Sequence, residues 1–150
     1  SNKNQEEISN LLLELMETSQ NIFYPQSVIA GDPKPKHWGL RKNESLVLFE
    51  WSSIGIGSPA LDLATSICTS EDIVTSTKVA ESYISQNQVY ELSEKAILNL
   101  SNDILKGCAW NYINFLAQYV DQQISTSDSL ISFIIDYFPK WLKRTPIRFY

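Results

Sequence analysis

The spacing of apolar residues divides the chain into a leading helix, a short mixed segment and a largely helical remainder. Apolar positions recur every three or four residues over 6–22, which predicts an amphipathic helix. Pro25 ends that element, because proline cannot continue a helix. The apolar run 27–30 predicts a buried strand. From Pro59 onward the helical spacing returns, and it predicts helices over 59–68, 71–86, 92–120 and 128–143.

Between the helical segments lie two short apolar runs and two loops rich in proline or glycine. The runs 38–41 and 46–50 flank four polar residues, a pattern that predicts a β-hairpin. Residues 31–37 predict a stiff loop, and 51–58 predict a second loop whose glycines supply backbone freedom. The Ser-Pro pair that follows suits a helix start, since serine caps and proline fits the first helical position. So small a sheet is expected to lie on the helices, with its loops at the edge.

The longest predicted helix carries one apolar stripe, which is expected to face the core. The stripe contains Ile97, Leu100, Ile104, Cys108, Tyr112, Phe115 and Tyr119. The two cysteines, Cys68 and Cys108, both fall in apolar helical patterns. They are expected to be buried free thiols, as in proteins of a reducing compartment. This cysteine usage favours a cytoplasmic protein.

Composition narrows the range of partners. At 150 residues, 43% hydrophobic and 19% charged, the chain is expected to form one globular domain spanning 1–150. Its net charge of -5 argues against a general nucleic-acid binder, which needs a basic face, and leaves room for a local basic site. No apolar run reaches the length of a membrane span, and no signal-type segment begins the chain. Neither nucleic acid nor a membrane is therefore an expected partner.

Three short motifs carry the candidate chemistry. They are Ala-Gly-Asp-Pro-Lys-Pro-Lys-His at 30–37, Glu-Trp at 50–51 and Gly-Ser-Pro-Ala-Leu-Asp-Leu-Ala at 57–64. Their order resembles that of the aminoglycoside phosphotransferase and choline kinase family, relatives of the protein kinases. In that family a loop written roughly H-G-D-x-x-x-x-N precedes a hairpin, a D-W or D-F step and a G-D-P-x-x-D-L-A helix start. Here position 37 is five residues after position 32, and position 50 is eighteen residues after it, which matches that spacing.

The resemblance implies an α+β, mainly α fold: the C-terminal lobe of a protein-kinase-like structure, a helical bundle whose small hairpin sheet carries the catalytic and metal loops. It implies that Asp32 is the catalytic base and that Lys34 contacts the transferred phosphate. It places His37 and Glu50 at the metal-ligand positions, with Mg²⁺ and ATP as cofactors. Phosphoryl transfer needs such positioned charges more than covalent help from the protein.

The same resemblance assigns two further groups of residues. Asp62 and Gly31 would support the catalytic loop, whereas Trp51, Trp110 and Tyr112 would help to line a pocket for the phosphate acceptor. The acceptor would be the hydroxyl of a small molecule. The family's nucleotide-binding lobe has no counterpart within these 150 residues, so an N-terminal lobe of the same polypeptide is an expected partner.

The motifs depart from the family pattern at four positions. Ala30 stands where the family has histidine, and His37 stands where it has asparagine. Glu50 and Ser58 each stand where it has aspartate. Mg²⁺ prefers oxygen ligands, which makes an imidazole a poor substitute for an amide. A displacement of about 1 Å in a positioned group can cost roughly 10²-fold in rate. Two functions therefore stay open: a phosphotransferase, and a catalytically impaired, pseudokinase-like binding or scaffold module.

Each candidate residue also has a simpler interpretation. Asp32 could cap a turn beside a glycine. His37 and Glu50 could be ordinary loop and strand-end residues facing solvent. Lys34 could belong to a solvated loop face. Asp62 could be purely structural, because a carboxylate near a helix start is stabilised by the local N–H groups.

Overall fold

The computed structural model describes residues 26–67, 73–87 and 92–121, together with single helical positions at 10, 13, 17 and 140. Within these ranges the protein is α+β and mainly helical. The strands are β1 (Ser27–Ile29), β2 (Trp38–Leu40), β3 (Leu46–Leu48) and β4 (Gly55–Gly57), and the helices are α1 (Pro59–Ile67), α2 (Ile73–Gln86) and α3 (Glu94–Asp121). The helices predicted at 6–22 and 128–143 lie outside the described residues. None of the described helices combines the length and apolar composition that a membrane crossing requires.

The strands form two separate antiparallel pairs. The predicted hairpin is confirmed: β2 pairs with β3, with Gly39 opposite Val47. The expectation of one small sheet is wrong, because β1 pairs instead with β4, with Val28 opposite Ile56. β4 lies within the predicted loop 51–58. Its partner strand is distant in sequence, so no local alternation could reveal the pairing.

The helical core forms where α3 packs against α1 and α2. Its buried members are Ala60, Ala64, Ile67, Ala80, Ile84, Leu100, Ile104, Leu105, Cys108, Ala109 and Ile113. Gly107 lies where α3 contacts α1: a Cβ there would be 2.9 Å from the Cβ of Ala64 and 3.2 Å from the carbonyl oxygen of Ala60. The small residues at this crossing let the two backbones approach and bury the apolar faces of both helices.

The predicted stripe of α3 is confirmed wherever its side chains are described. Leu100, Ile104 and Cys108 are buried, and Ile97 and Tyr112 pack half-buried against the core. The side chains of Phe115 and Tyr119 lie outside the described part, as does Cys68. Cys108 is buried and forms no disulfide, and its thiol donates to the carbonyl of Ala64 at 3.6 Å. The helical period thus identified which face of α3 is buried.

The start of α1 joins the strands to the core. Ser58 is buried; its hydroxyl accepts a hydrogen bond from the N–H of Ala60 at 3.2 Å, and its carbonyl accepts one from the N–H of Leu61 at 3.0 Å. The predicted Ser-Pro helix start is therefore confirmed. α1 also packs against β1, which places the loop after β1 beside the first turn of the helix.

α3 also carries a pair of oppositely charged side chains near the core. Lys106 is 4% exposed, and its Nζ lies 3.6 Å from the carboxylate of Asp103. Burial raises the pKa of Asp103 above its ordinary value of 3.8, although the lysine acts in the opposite direction. Burial therefore outweighs the neighbouring charge at this carboxylate.

Candidate functional site

The carboxylate of Asp62 attaches the loop after β1 to the first turn of α1. Its Oδ2 accepts a hydrogen bond from the N–H of Ala30 at 2.7 Å, and its Oδ1 accepts one from the N–H of Gly31 at 2.8 Å. Hydrogen bonds to a charged group are among the stronger ones in proteins. Two consecutive amides are thereby held by one side chain, which fixes the backbone immediately before Asp32.

Gly31 brings this loop into direct contact with the loop after β3. Its φ of +84° is a left-handed conformation that favours glycine. A Cβ at this position would lie 2.2 Å from the carbonyl oxygen of Ser53, so no side chain fits. Ser53 belongs to a turn in which the N–H of Ile54 donates to the carbonyl of Trp51 at 3.2 Å. The loop that carries Asp32 therefore packs against the turn that follows Glu50.

Asp32 lies at the bend of its loop, next to two basic side chains. Its Oδ2 is 3.0 Å from the Nζ of Lys34 and 3.9 Å from the Nδ1 of His37. The side chain of Asp32 is 29% exposed and that of Lys34 51% exposed. The carboxylate can therefore accept a hydrogen bond from a hydroxyl that approaches from solvent, while the lysine neighbours any group bound there.

His37 ends a 3-10 turn, Pro35–His37, and its ring folds back onto the loop. Its Nδ1 is 2.7 Å from the carbonyl oxygen of Asp32. A carbonyl oxygen only accepts hydrogen bonds, so Nδ1 carries the proton in this contact. The imidazole is 15% exposed, the lowest exposure among the side chains of Asp32, Lys34 and His37.

Glu50 follows β3 and bonds within its own turn. Its Oε1 accepts a hydrogen bond from the N–H of Ser52 at 2.9 Å. Hydrogen bonds from the hydroxyl and the N–H of Ser52 lower the pKa of Glu50 below its ordinary value of 4.5, and the charge of His37 lowers it further. Glu50 is therefore ionised at neutral pH, and its charge interacts with the imidazole beside Asp32.

The donor set does not fit the Mg²⁺ site that the resemblance implies. Mg²⁺ requires near-octahedral oxygen ligation. His37 offers nitrogen, and one oxygen of Glu50 is already bonded to Ser52. Within the described ranges, no group of three or more His, Cys, Asp and Glu side chains lies close enough together to hold a metal ion. The metal-ligand roles of His37 and Glu50 stay predictions.

The three residues predicted to line an acceptor pocket lie on different parts of the molecule. Trp51 is half exposed in the loop after β3, and its Nε1 donates to the carbonyl of Leu48 at 2.8 Å. Trp110 and Tyr112 pack half-buried against the helical core on α3. A cavity of about 370 Å³ opens between α1 and α2 instead, lined by Leu63, Val79, Ser82, Tyr83, Gln86 and Asn87. The acceptor pocket stays a prediction.

Two residues that the sequence did not single out help to shape the site. The Nε1 of Trp38 donates to the carbonyl of Pro33 at 2.9 Å, which ties β2 to the Asp32 loop. A tryptophan directly after a proline-rich loop can indicate a contact with that loop in the sequence, because its indole N–H needs an acceptor when it is partly buried. Ser53, which contacts Gly31, has no such signal, since only the fold brings the two segments together.

Comparison with protein-family models, with curated proteins and with solved structures finds no match for this chain. The site is therefore interpreted from its own contacts. These contacts bring Asp32, Lys34 and His37 together in one loop and pack that loop against the turn after Glu50. The arrangement presents one accessible carboxylate beside a lysine, with its backbone held on both sides.

Proposed function

We propose that this chain is the C-terminal lobe of a kinase-like phosphotransferase that transfers phosphate from ATP to the hydroxyl of a small molecule. The observation that carries the proposal is the packing of Gly31 against Ser53, which makes the Asp32 loop and the turn after Glu50 neighbours. Phosphoryl transfer depends on positioning and electrostatics, and two neighbouring loops with separate carboxylates meet that need.

Asp32 acts as the base in this proposal. Its partly exposed carboxylate accepts a hydrogen bond from the acceptor hydroxyl, orients it and takes its proton as the oxygen becomes a nucleophile. Lys34 keeps its ammonium 3.0 Å from the same carboxylate. The same ammonium is exposed enough to contact a phosphate oxygen when one is present.

The test is ATP turnover by the full-length protein, with a panel of small polyhydroxylated and cationic compounds as acceptors. Asp32→Asn is expected to lower kcat by about 10²- to 10⁴-fold, the usual contribution of a general base. Glu81→Gln provides a matched loss of one carboxylate, because Glu81 is exposed on α2, and it should leave kcat unchanged. Absence of both turnover and nucleotide-dependent thermal stabilisation in the wild type would remove this proposal.

A second function is favoured by one observation, the poor fit of the donor set to Mg²⁺. In that case the chain is a non-catalytic binding or scaffold module. Asp32→Asn would then leave its biological activity unchanged. The double substitution His37→Asn with Glu50→Asp separates the two cases further, since turnover gained only in that variant would identify a phosphotransferase that has lost its metal ligands.

A further inference from the structure

We propose that His37 is a positioning residue: its Nδ1–H holds the backbone of Asp32 in place, and its own main-chain carbonyl links the Asp32 loop to the strand that precedes Glu50. This inference rests on the proposed function only for its effect on catalysis. The contact itself is a property of the fold. It assigns His37 a role different from the metal-ligand role implied by the resemblance.

The first step is the hydrogen bond between the His37 ring and the Asp32 carbonyl. At 2.7 Å it is short for an N–H···O bond, and the acceptor can be nothing but the carbonyl oxygen. The ring is 15% exposed, so little water competes for Nδ1. The same carbonyl also accepts the N–H of Lys34 at 2.8 Å, so two donors fix its direction.

The second step is the connection to the other side of the site. The main-chain carbonyl of His37 accepts a hydrogen bond from the N–H of Phe49 at 3.1 Å, which extends the β2–β3 pairing to the residue before Glu50. One residue therefore bonds to Asp32 through its side chain and to Phe49 through its backbone. The spacing between the Asp32 loop and the start of the Glu50 turn is set through this residue.

The third step concerns the charges around the ring. The Asp32 carboxylate lies 3.9 Å from Nδ1, and the Glu50 carboxylate interacts with the imidazole electrostatically. Lys34 and Lys36 are the cations of the same loop, and Lys34 is paired with Asp32. The ring therefore donates to the Asp32 backbone and lies beside the carboxylate of the same residue, so both contacts hold it against Asp32.

Together with Asp62, His37 holds Asp32 from both sides. Asp62 binds the two backbone amides that precede Asp32, and His37 binds the backbone carbonyl of Asp32. Loss of the histidine contact should let the base shift while the fold persists. A shift of about 1 Å costs roughly 10²-fold in rate, so the effect is expected on kcat and not on KM.

Replacing His37 by asparagine or by glutamine distinguishes the positioning role from a metal-ligand role. The side-chain amide of asparagine reaches about as far as Nδ1 of histidine, whereas that of glutamine reaches about as far as Nε2. If Nδ1 acts, His37→Asn should retain kcat within a few-fold, while His37→Gln and His37→Ala should lose about 10- to 100-fold. Asparagine activity well above wild type at saturating Mg²⁺, or glutamine activity equal to wild type, would overturn the assignment.

A second measurement does not depend on turnover. His37 is the single histidine of the chain, so ¹⁵N spectra of its imidazole can be assigned without ambiguity. The neutral ring is expected to carry its proton on Nδ1, the rarer tautomer of free histidine. The Nε2–H tautomer would refute the inference. If the Nδ1–H tautomer is found but no variant turns over, the structural contact stands and the proposed phosphotransferase function fails instead.

Discussion

Replacing Asp62 by alanine should detach the Asp32 loop from the helix that holds it. The carboxylate bonds to two consecutive amides, those of Ala30 and Gly31, at 2.7 and 2.8 Å. Alanine has no acceptor, so both amides lose their partner in one step. The substitution therefore measures how strongly α1 fixes the start of the candidate catalytic loop.

The expected loss can be worked out from the surroundings of each amide. The N–H of Ala30 is partly buried, so its loss should approach the roughly 1.5–3 kcal/mol of a bond to a charged group. The N–H of Gly31 is exposed and regains water, so its loss should be about 0.5–1 kcal/mol. Removing a negative charge from the first turn of α1 adds about 0.3–1 kcal/mol. The free energy of unfolding should therefore fall by about 2–5 kcal/mol.

Urea unfolding of the whole chain measures this loss, and hydrogen exchange locates it at the amides of residues 30 and 31. Asp62→Glu is the matched variant: it keeps the charge near the helix start but displaces the carboxylate by about one methylene, so it isolates the hydrogen-bond geometry. Glu81→Gln, on the exposed face of α2, should change stability by less than about 0.5 kcal/mol. Unchanged stability and unchanged exchange in Asp62→Ala would refute the attachment.

Three further predictions concern backbone space and pH. Gly31→Ala should cost about 2–4 kcal/mol in urea unfolding, because φ is positive and the new methyl would overlap Ser53. Gly107→Ala should lower the melting temperature, since overpacking against Ala64 costs about 1–3 kcal/mol and outweighs a helix-propensity gain of about 1 kcal/mol. The pKa of Asp103 is raised in the folded state, so the folded state binds this proton more tightly than the unfolded state does. Asp103 therefore favours folding most at pH values below its ordinary pKa of 3.8. This contribution is lost as the pH rises through the folded-state pKa. Asp103→Asn should flatten this dependence in unfolding curves measured across that pH range.

Each of these predictions has its own control or contrary outcome. Gly55→Ala tests the same replacement where φ is not positive and the nearest neighbouring atom of the added Cβ is 3.9 Å away, so it should cost well under 1 kcal/mol. A Gly107→Ala variant more stable than the wild type would show that α1 and α3 can move apart at their crossing. A stability–pH curve that is identical with and without Asp103 would mean that its carboxylate is solvated in the folded state.

The spacing of apolar residues predicted those elements in which buried positions recur at a regular interval along the chain. The apolar spacing of α3 identified Leu100, Ile104 and Cys108 as core residues, and the Ser-Pro pair marked the start of α1. The motif at 30–37 singled out Asp32, and the resemblance named Asp62 and Gly31 as its supports. The same pattern did not predict β4, whose partner β1 is far away in sequence.

Helical period and turn chemistry follow from the sequence alone, because each depends on residues within a few positions of one another, whereas the role of Asp32 as a base is what the family resemblance implies and stays a prediction. The contacts that define the site depend on the fold. Ser53 meets Gly31 and Asp62 binds two distant amides only in the folded chain, whereas the ring of His37 bonds to the Asp32 carbonyl within one short loop. A hydrogen bond forms with whichever acceptor lies within reach, and for segments far apart in the chain that choice is made by tertiary packing.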